Sequence, residues 1–374
     1  MADRSPELRA LADGLIGDQP DAWDRAGAIP EDLVRKLASA GALCAEVPAR
    51  YGGLGLSSAE SGEFTAYVGS RCSSLRSLMT SQGMAAWTIQ RLGDRAQRAE
   101  FLPRLASGEL AAVGFSETGA GSDLSTMDTV IRPDGDAVLV DGHKVWVTAA
   151  DYADLLVVFG RYEGGAAAAV VPAGTPGVRV ERVAEPLGCR AAGHANIRLD
   201  GVRVPAANLL GGAGQSTAML VTTALAYGRI SVAWGCVGIL RACLAEVTRH
   251  ATGREQFGKP LGQHQLVARH VAELLVAEQS ATRACEHASR RWDERSPEMV
   301  LATVLAKYVS SRHAADGAAS AVQVLASAGA RDSHPVARAY RDAKLMEIIE
   351  GSNEICQLIL SEHVLAGAKQ EEDR

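Results

Sequence analysis

Apolar residues recur at helical spacing through the first hundred positions. Leu33, Val34 and Leu37 fall three to four residues apart, Pro30 stands where a helix begins and Gly41 where it stops. That spacing predicts one amphipathic helix with both ends marked. The same period runs through residues 64–68, 75–84 and 87–105, with Tyr51-Gly-Gly-Leu-Gly as a flexible connector. Near residue 113 the period changes to alternation. Residues 129–132, the turn Pro133-Asp-Gly-Asp, residues 137–140, the dipeptide Asp141-Gly142 and residues 144–147 read as strands joined by hairpin turns. Residues 155–159, 166–171, 178–183, 197–199 and 202–204 continue the run at short spacing, which predicts a compact antiparallel sheet or barrel. After Pro205 and Gly211-Gly-Ala-Gly, helical patterns return over 219–251, 263–292, 297–328 and 337–365. The expected class is α+β, with an N-terminal helical domain over 1–113, a middle β domain over 114–212 and a C-terminal helical domain over 213–374.

Composition narrows the class. With 374 residues, 47% hydrophobic and 22% charged, the chain is neither disordered nor a membrane bundle. Residues 221–240 are apolar over a length that could cross a bilayer, but they hold Arg229 with Gly228, Gly235 and Gly238, so a buried, closely packed helix is expected instead. A net charge of −6 provides no footprint for a phosphate backbone, and nucleic acid is not an expected partner. The cysteines number seven and form no CxxC pair, against both a disulfide framework and a zinc site, so no metal is expected. The opening residues Met1-Ala-Asp-Arg-Ser-Pro-Glu have no apolar signal-peptide core, and a cytoplasmic location fits.

Candidate chemistry lies at the junctions. Gly212-Ala-Gly and Gly119-Ala-Gly both lack the third glycine, the βαβ context and the following acid of a dinucleotide fingerprint, and no GxxxxGK[ST] occurs. Ser116-Glu-Thr-Gly-Ala-Gly-Ser-Asp123 offers backbone N–H groups and hydroxyls to one place, which suits an anionic or heteroaromatic ligand and equally an ordinary interdomain turn. Trp146 and Thr148 alternate along a strand and are expected on one face. Glu350 stands at a break between two helical patterns, before Gly351 and the capping residue Ser352. Carbonyl dipoles and apolar neighbours there would raise its pKa toward that of a base able to take a proton beside a carbonyl.

Read together and in order, these segments resemble the acyl-CoA dehydrogenase family over nearly the whole chain. Arg50-Tyr-Gly-Gly-Leu-Gly and Leu102-Pro-Arg-Leu-Ala-Ser-Gly-Glu are similar to its early elements, and Glu117-Thr-Gly-Ala-Gly-Ser-Asp to its TEPGAGSD signature, with Thr118 in place of proline. Asp141-Gly-His-Lys-Val-Trp-Val-Thr148 is similar to NGxKxWIT, Arg254-Glu-Gln-Phe-Gly-Lys-Pro to RxxFGKP, and Arg338-Ala-Tyr-Arg-Asp-Ala-Lys with Glu350-Gly-Ser-Asn-Glu-Ile to RDAK followed by EGTxEI. The resemblance implies that the C-terminal domain is a four-helix bundle, that the cofactor is FAD, and that an acyl thioester on coenzyme A or an acyl carrier protein is dehydrogenated between its α and β carbons. It implies Glu350 as the base that removes the α proton while hydride leaves for flavin N5. It assigns Phe115, Ser116, Ser122, Trp146, Thr148, Ser352 and Glu354 to the cofactor. Arg254, Phe257 and Gln323 would reach FAD in a neighbouring subunit, hence a homodimer or homotetramer. Ser122, Arg229, Ile349 and Gly351 are the substrate-binding candidates. Relatives that place the base on an earlier helix, just before an arginine, have their counterpart here in Gly228, leaving Glu350 for the role.

Departures from the pattern are Ile349 where tyrosine is usual, and Ala326-Ser327 where a glycine pair follows the family's glutamine. Cys72-Ser-Ser-Leu-Arg-Ser-Leu and Ser231-Val-Ala-Trp-Gly-Cys236 are similar to the subgroup that oxidises hydroxyacyl carrier-protein thioesters for polyketide extender units such as methoxymalonyl. For an acidic carrier, Arg241, Arg249 and Arg254 are the candidate local basic patch. The resemblance leaves the electron acceptor open between an electron-transfer flavoprotein and oxygen. Two other readings share the fold: a flavin monooxygenase or oxidase, against which the presence of Glu350 argues, and a non-catalytic scaffold protein that would be colourless.

Overall fold

The computed structural model describes residues 4–372. The helical beginning consists of α1 (Ser5–Ile16), α2 (Pro20–Ala26), α3 (Glu31–Ser39), α4 (Ser58–Arg71), α5 (Ser73–Leu92) and α6 (Arg95–Ala106). α3 starts directly after Pro30, and Gly41 beyond its end takes a left-handed φ of 72°. The stretch read as one helical pattern over 87–105 is broken at Gly93-Asp94, where Asp94 and Gln97 form a capping box that starts α6. Trp87 therefore belongs to α5.

The sheet contains β1 (Ala111–Gly114), β2 (Val130–Asp134), β3 (Ala137–Val147), β4 (Leu155–Tyr162), β5 (Gly165–Pro172), β6 (Val178–Arg182), β7 (Ala195–Pro205) and β8 (Leu209–Leu210). Its order is β6-β7-β3-β2-β4-β5-β8, with β1 added to β4. It is a mixed sheet rather than the purely antiparallel one expected: β1 runs parallel to β4, Ala111 facing Leu155, and β2 meets β4 in parallel at Val130–Arg161. Alternation reveals strands but not their direction, and here β4 returns to β1 only after the β2–β3 hairpin has intervened. Asp154 fixes that corner, accepting from the Leu110 N–H (2.8 Å) and pairing with Arg35 of α3 (2.9 Å). Asp141-Gly142 is likewise not a turn. β3 continues through it as one strand, and the register shift there comes from β7, where Asp200 and Gly201 oppose the single residue Asp141, whose carboxylate accepts from the Gly201 N–H (2.7 Å). Successive β4 residues enter different cores, Leu155 and Val157 on one face, Leu156 and Val158 on the other.

The chain then forms α7 (Thr217–Gly253), a small hairpin of β9 (Glu255–Gln256) and β10 (Lys259–Pro260), α8 (Gln265–Asp293), α9 (Met299–Leu325), α10 (Pro335–Met346) and α11 (Asn353–Glu372). α7 is apolar and long enough to cross a membrane by composition, yet it is the core helix of the bundle, packed by α4, α5, α8, α9 and α10, with Trp234 and even Arg229 buried. Gly235 lets Arg76 of α5 lie against it, since a Cβ there would stand 2.6 Å from Arg76 Nε. All the cysteines are free and buried. Among the described residues, no group of three or more His, Cys, Asp or Glu side chains is placed to hold a metal.

Candidate active site

Where α5, the loop after β1, the end of β3, the first turns of α7 and the α10–α11 turn converge, they enclose a cleft of roughly 730 Å³. Its sheet-side wall is set by one buried ion pair. Glu117 Oε1 accepts from Lys144 Nζ (2.7 Å), from the Thr129 N–H (3.0 Å) and from the Thr129 hydroxyl, while Oε2 accepts from the Asp128 N–H (2.6 Å). Lys144 Nζ also donates to Phe115 O (3.0 Å). Burial alone would raise the Glu117 pKa, but the bonds from Lys144, Thr129 and Asp128 outweigh it and hold the carboxyl at about 2. Burial brings Lys144 down to about 8 against the pull of Glu117, so both partners remain ionised at neutral pH. The loop carrying Ser116 and Ser122 is thereby tied to β3, a link the Val145 N–H reinforces by donating to Ser116 O (2.9 Å). Phe115 stacks on Phe159, ring centroids 4.5 Å apart.

Trp146 and Thr148 both line this cleft, but not by strand alternation. The register shifts between Lys144 and Val147, Trp146 takes a left-handed φ of 55°, and Thr148 lies in the turn after β3. The bulge turns the indole outward, 54% exposed. Thr148 Oγ1 is 3.3 Å from His194 Nδ1, and burial with the nearby Arg76 charge lowers the His194 pKa to about 4, so this imidazole is neutral.

The helix-side wall holds the carboxylate. α10 ends at Met346, and the turn to α11 passes through Glu350 (φ 58°) and Gly351 (φ 86°) in succession. A glutamate in the left-handed region is strained and needs an external hold. Arg229 Nε supplies part of it by donating to the Glu350 carbonyl (3.1 Å), and Ser352 starts the next helix by accepting from the Ile355 N–H (3.4 Å). Glu350 Oε2 is buried without a partner, and burial raises its pKa to about 7 against the opposing charges of Arg229, Lys307 and Arg76. Desolvation, one of the two causes expected from sequence, drives the rise. Space for the carboxylate comes from Gly228, where an added Cβ would stand 2.1 Å from Oε2. The earlier-helix base position and Glu350 therefore address the same point.

Of the remaining candidates, Ser116, Ser122, Arg229, Ile349, Gly351 and Ser352 line the cleft. Glu354 is exposed in the first turn of α11. Arg254, Phe257 and Gln323 lie outside this cleft and are exposed, Phe257 at 95% on the β9–β10 hairpin. Of the basic residues considered for an acidic carrier, Arg241 pairs with Glu63 and Glu278, and Arg249 with Glu246.

Models of the three acyl-CoA dehydrogenase domains match in order, the N-terminal domain over 5–109, the middle domain over 112–202 and the C-terminal domain over 218–365. The chain belongs to the acyl-CoA dehydrogenase family. It is 31% identical to glutaryl-CoA dehydrogenase of Desulfococcus multivorans over 95% of this chain and 94% of that one. It is 30% identical to the mitochondrial short-chain specific acyl-CoA dehydrogenase of Mus musculus over 91% and 84%. Among solved structures, FkbI, described as serving biosynthesis of the methoxymalonyl extender unit of the Fk520 polyketide immunosuppressant, superposes with a TM-score of 0.92 at 64% identity, covering 96% of this chain and 99% of FkbI. Butyryl-CoA dehydrogenase from Megasphaera elsdenii gives 0.93 at 27% identity over 98% and 99%. As a member of this family the chain is an FAD-dependent oxidoreductase that dehydrogenates acyl thioesters.

Within this acyl-CoA dehydrogenase, three residues had escaped sequence reasoning. Arg76, fully buried, reaches the cleft with Nε unpartnered while its terminal nitrogens bond Thr80 and Met346. It shares a helical stripe with Cys72, Leu75 and Met79, and a charge on such a stripe was the available signal. Lys307 is the same kind of residue on α9, between Thr303, Ser310 and Ala314. His194, on the loop leading into β7, had no signal, because only tertiary packing brings it beside Thr148.

Proposed function

We propose that this enzyme dehydrogenates a short acyl group that bears its own oxygen, delivered as a thioester on coenzyme A or an acyl carrier protein, with Glu350 taking the α proton. The observation that carries it is the Glu350 carboxylate, aimed into the cleft with Oε2 buried and unpartnered. With its pKa near 7, the carboxylate is available as a base at neutral pH and returns the proton readily afterwards. The α5 side supports an oxygen-bearing chain, because Arg76 Nε is buried there without a partner. A purely aliphatic chain would leave this donor desolvated and unanswered. The 64% identity to FkbI supports a role in supplying polyketide extender units.

Orphaned polar atoms of Arg76, His194 and Glu350 in one cleft, beside an exposed indole, fit a bound heteroaromatic cofactor and substrate together. Phe115, Ser116, Ser122, Trp146, Thr148, Ser352 and Glu354 would hold FAD, which when bound supplies the acceptor for the β hydride. Trp146 would cover the ring face and Thr148 would direct its hydroxyl, fixed by His194, at the ring edge. Arg229 and Gly351 maintain the turn that aims the base, and Ile349 and Ser122 flank the acyl chain. Arg254, Phe257 and Gln323 would serve the cofactor of a second copy. Phe257, 95% exposed at a φ of 53°, meets only His264 at 6.0 Å among the described aromatic rings. We accordingly assign a homodimer or homotetramer, with an electron-transfer flavoprotein or oxygen as acceptor and a cytoplasmic setting that suits the free thiols.

The deciding experiment is an anaerobic visible titration of the purified holoenzyme with matched coenzyme A and carrier-protein thioesters, plain and hydroxylated. Bleaching by a hydroxyacyl thioester, on either carrier, is the expected result. Bleaching only by unsubstituted chains would overturn the oxygen-bearing substrate. A flavin band that no thioester bleaches would overturn the reading as a whole.

A further inference from the structure

Lys307 is wholly buried on α9, and no carboxylate pairs with it among the described residues. Its three N–H donors are all used, on Gly351 O (2.7 Å), Asn353 Oδ1 (3.1 Å) and Glu347 O (3.2 Å). These acceptors span the α10–α11 turn from its first residue to the start of the next helix. Ser311 donates to the same Asn353 oxygen (2.7 Å), the Asn353 amide nitrogen donates to Glu347 Oε1 (3.3 Å), and the Asn353 N–H donates to Glu347 O (2.9 Å). The strained pair, Glu350 and Gly351, lies inside this ring of bonds.

We propose that Lys307 is a positioning residue for the reaction: by binding Glu347 O, Gly351 O and Asn353 Oδ1 together, its ammonium holds the turn that aims the Glu350 carboxylate into the cleft. This rests on the reading of Glu350 as the base. A neutral amide could satisfy such carbonyls without the cost of burying a charge. The charge has a use here because a buried carboxylate stands beside it. The groups acting on that carboxylate are Lys307 from α9, Arg229 from α7 and Arg76 from α5, each opposing the effect of burial. Arg229 grips the Glu350 carbonyl, and Lys307 grips the residues on either side, so the two cations fix the base from both flanks.

The test is exchange of α hydrogens of 3-hydroxybutyryl-coenzyme A, and of 3-hydroxybutyryl carrier protein, into D₂O by the anaerobic holoenzyme, followed by mass spectrometry across pH. This reads proton abstraction without net oxidation. In Lys307→Met and Lys307→Gln, exchange is expected to slow by roughly tenfold or more. The half-maximal pH should move upward, with flavin content kept and thioester affinity within about twofold. Lys307→Arg, which keeps the charge, should return the half-maximal pH toward the wild-type value. A Lys307→Met enzyme with wild-type rate and profile would overturn the inference. Should the Lys307 variants fail to fold, Asn353→Ala removes one acceptor and keeps the charge: slower exchange at an unchanged half-maximum supports the role, and a wild-type rate overturns it. Absence of exchange by the wild type would overturn Glu350 as base and this inference with it, whereas active wild type with unaffected variants overturns the inference alone.

Discussion

The two walls of the cleft are built on opposite principles. On the sheet side, Glu117 and Lys144 satisfy each other and the loop around them, with five bonds to the pair's charged atoms inside a dry junction. On the helix side, Glu350 is buried with an empty acceptor oxygen on a left-handed turn, restrained through its backbone by two cations that do not neutralise it. A carboxylate that accepts four hydrogen bonds is held at a pKa of about 2 and is chemically inert. The other, deprived of partners, is raised to about 7 and can take a proton. Two glutamates in one cleft thus separate into scaffold and base through their surroundings alone.

The comparison can be broken most severely at the base. Glu350→Gln should keep the yellow holoprotein while thioester-driven flavin bleaching, followed by anaerobic stopped flow, slows by roughly 10²–10⁴-fold. Reduction near the wild-type rate would show that the proton leaves by another route. On the opposite wall, Glu117→Gln leaves the Lys144 ammonium buried and unpaired, and denaturant unfolding should register a loss of about 3–5 kcal/mol. Adding Lys144→Met should recover part of that loss, and no recovery would mean that the charge was not the cause.

Gly228→Ala sharpens the contrast without replacing either glutamate. The new methyl would stand about 2.1 Å from Glu350 Oε2, so the base must move. A displacement of that order should cost roughly a hundredfold in flavin reduction, with a thermal midpoint close to wild type. A smaller effect concerns pH. The folded-state pKa of Glu350 lies above its unfolded value, so between about 4.5 and 7 the native protein binds the proton more tightly and stability falls as pH rises. Glu350→Gln removes that penalty and should raise the thermal midpoint at pH 8 but hardly at pH 5. In the wild type, flavin reduction should climb through a half-maximum near pH 7.

Much of this was legible in the chain. Pro30 and Gly41 mark a helix, the 211–214 glycines separate sheet from bundle, and Glu350-Gly351-Ser352 announces a break between helices. These signals are local, set by backbone preferences that neighbouring residues express by themselves. The motifs in order carried the family, and through it FAD and the thioester. Only the tertiary structure decided that β1 and β4 run parallel, because strand direction depends on where a later segment returns. Likewise, no local pattern shows that Asp141-Gly142 continues a strand rather than turning, since the partner strand β7 absorbs the register shift opposite it. The base itself is the sharpest case: sequence placed a glutamate at a helix junction, but its pKa arises from α5, α7 and α9 closing over it and withholding every partner from its Oε2 oxygen.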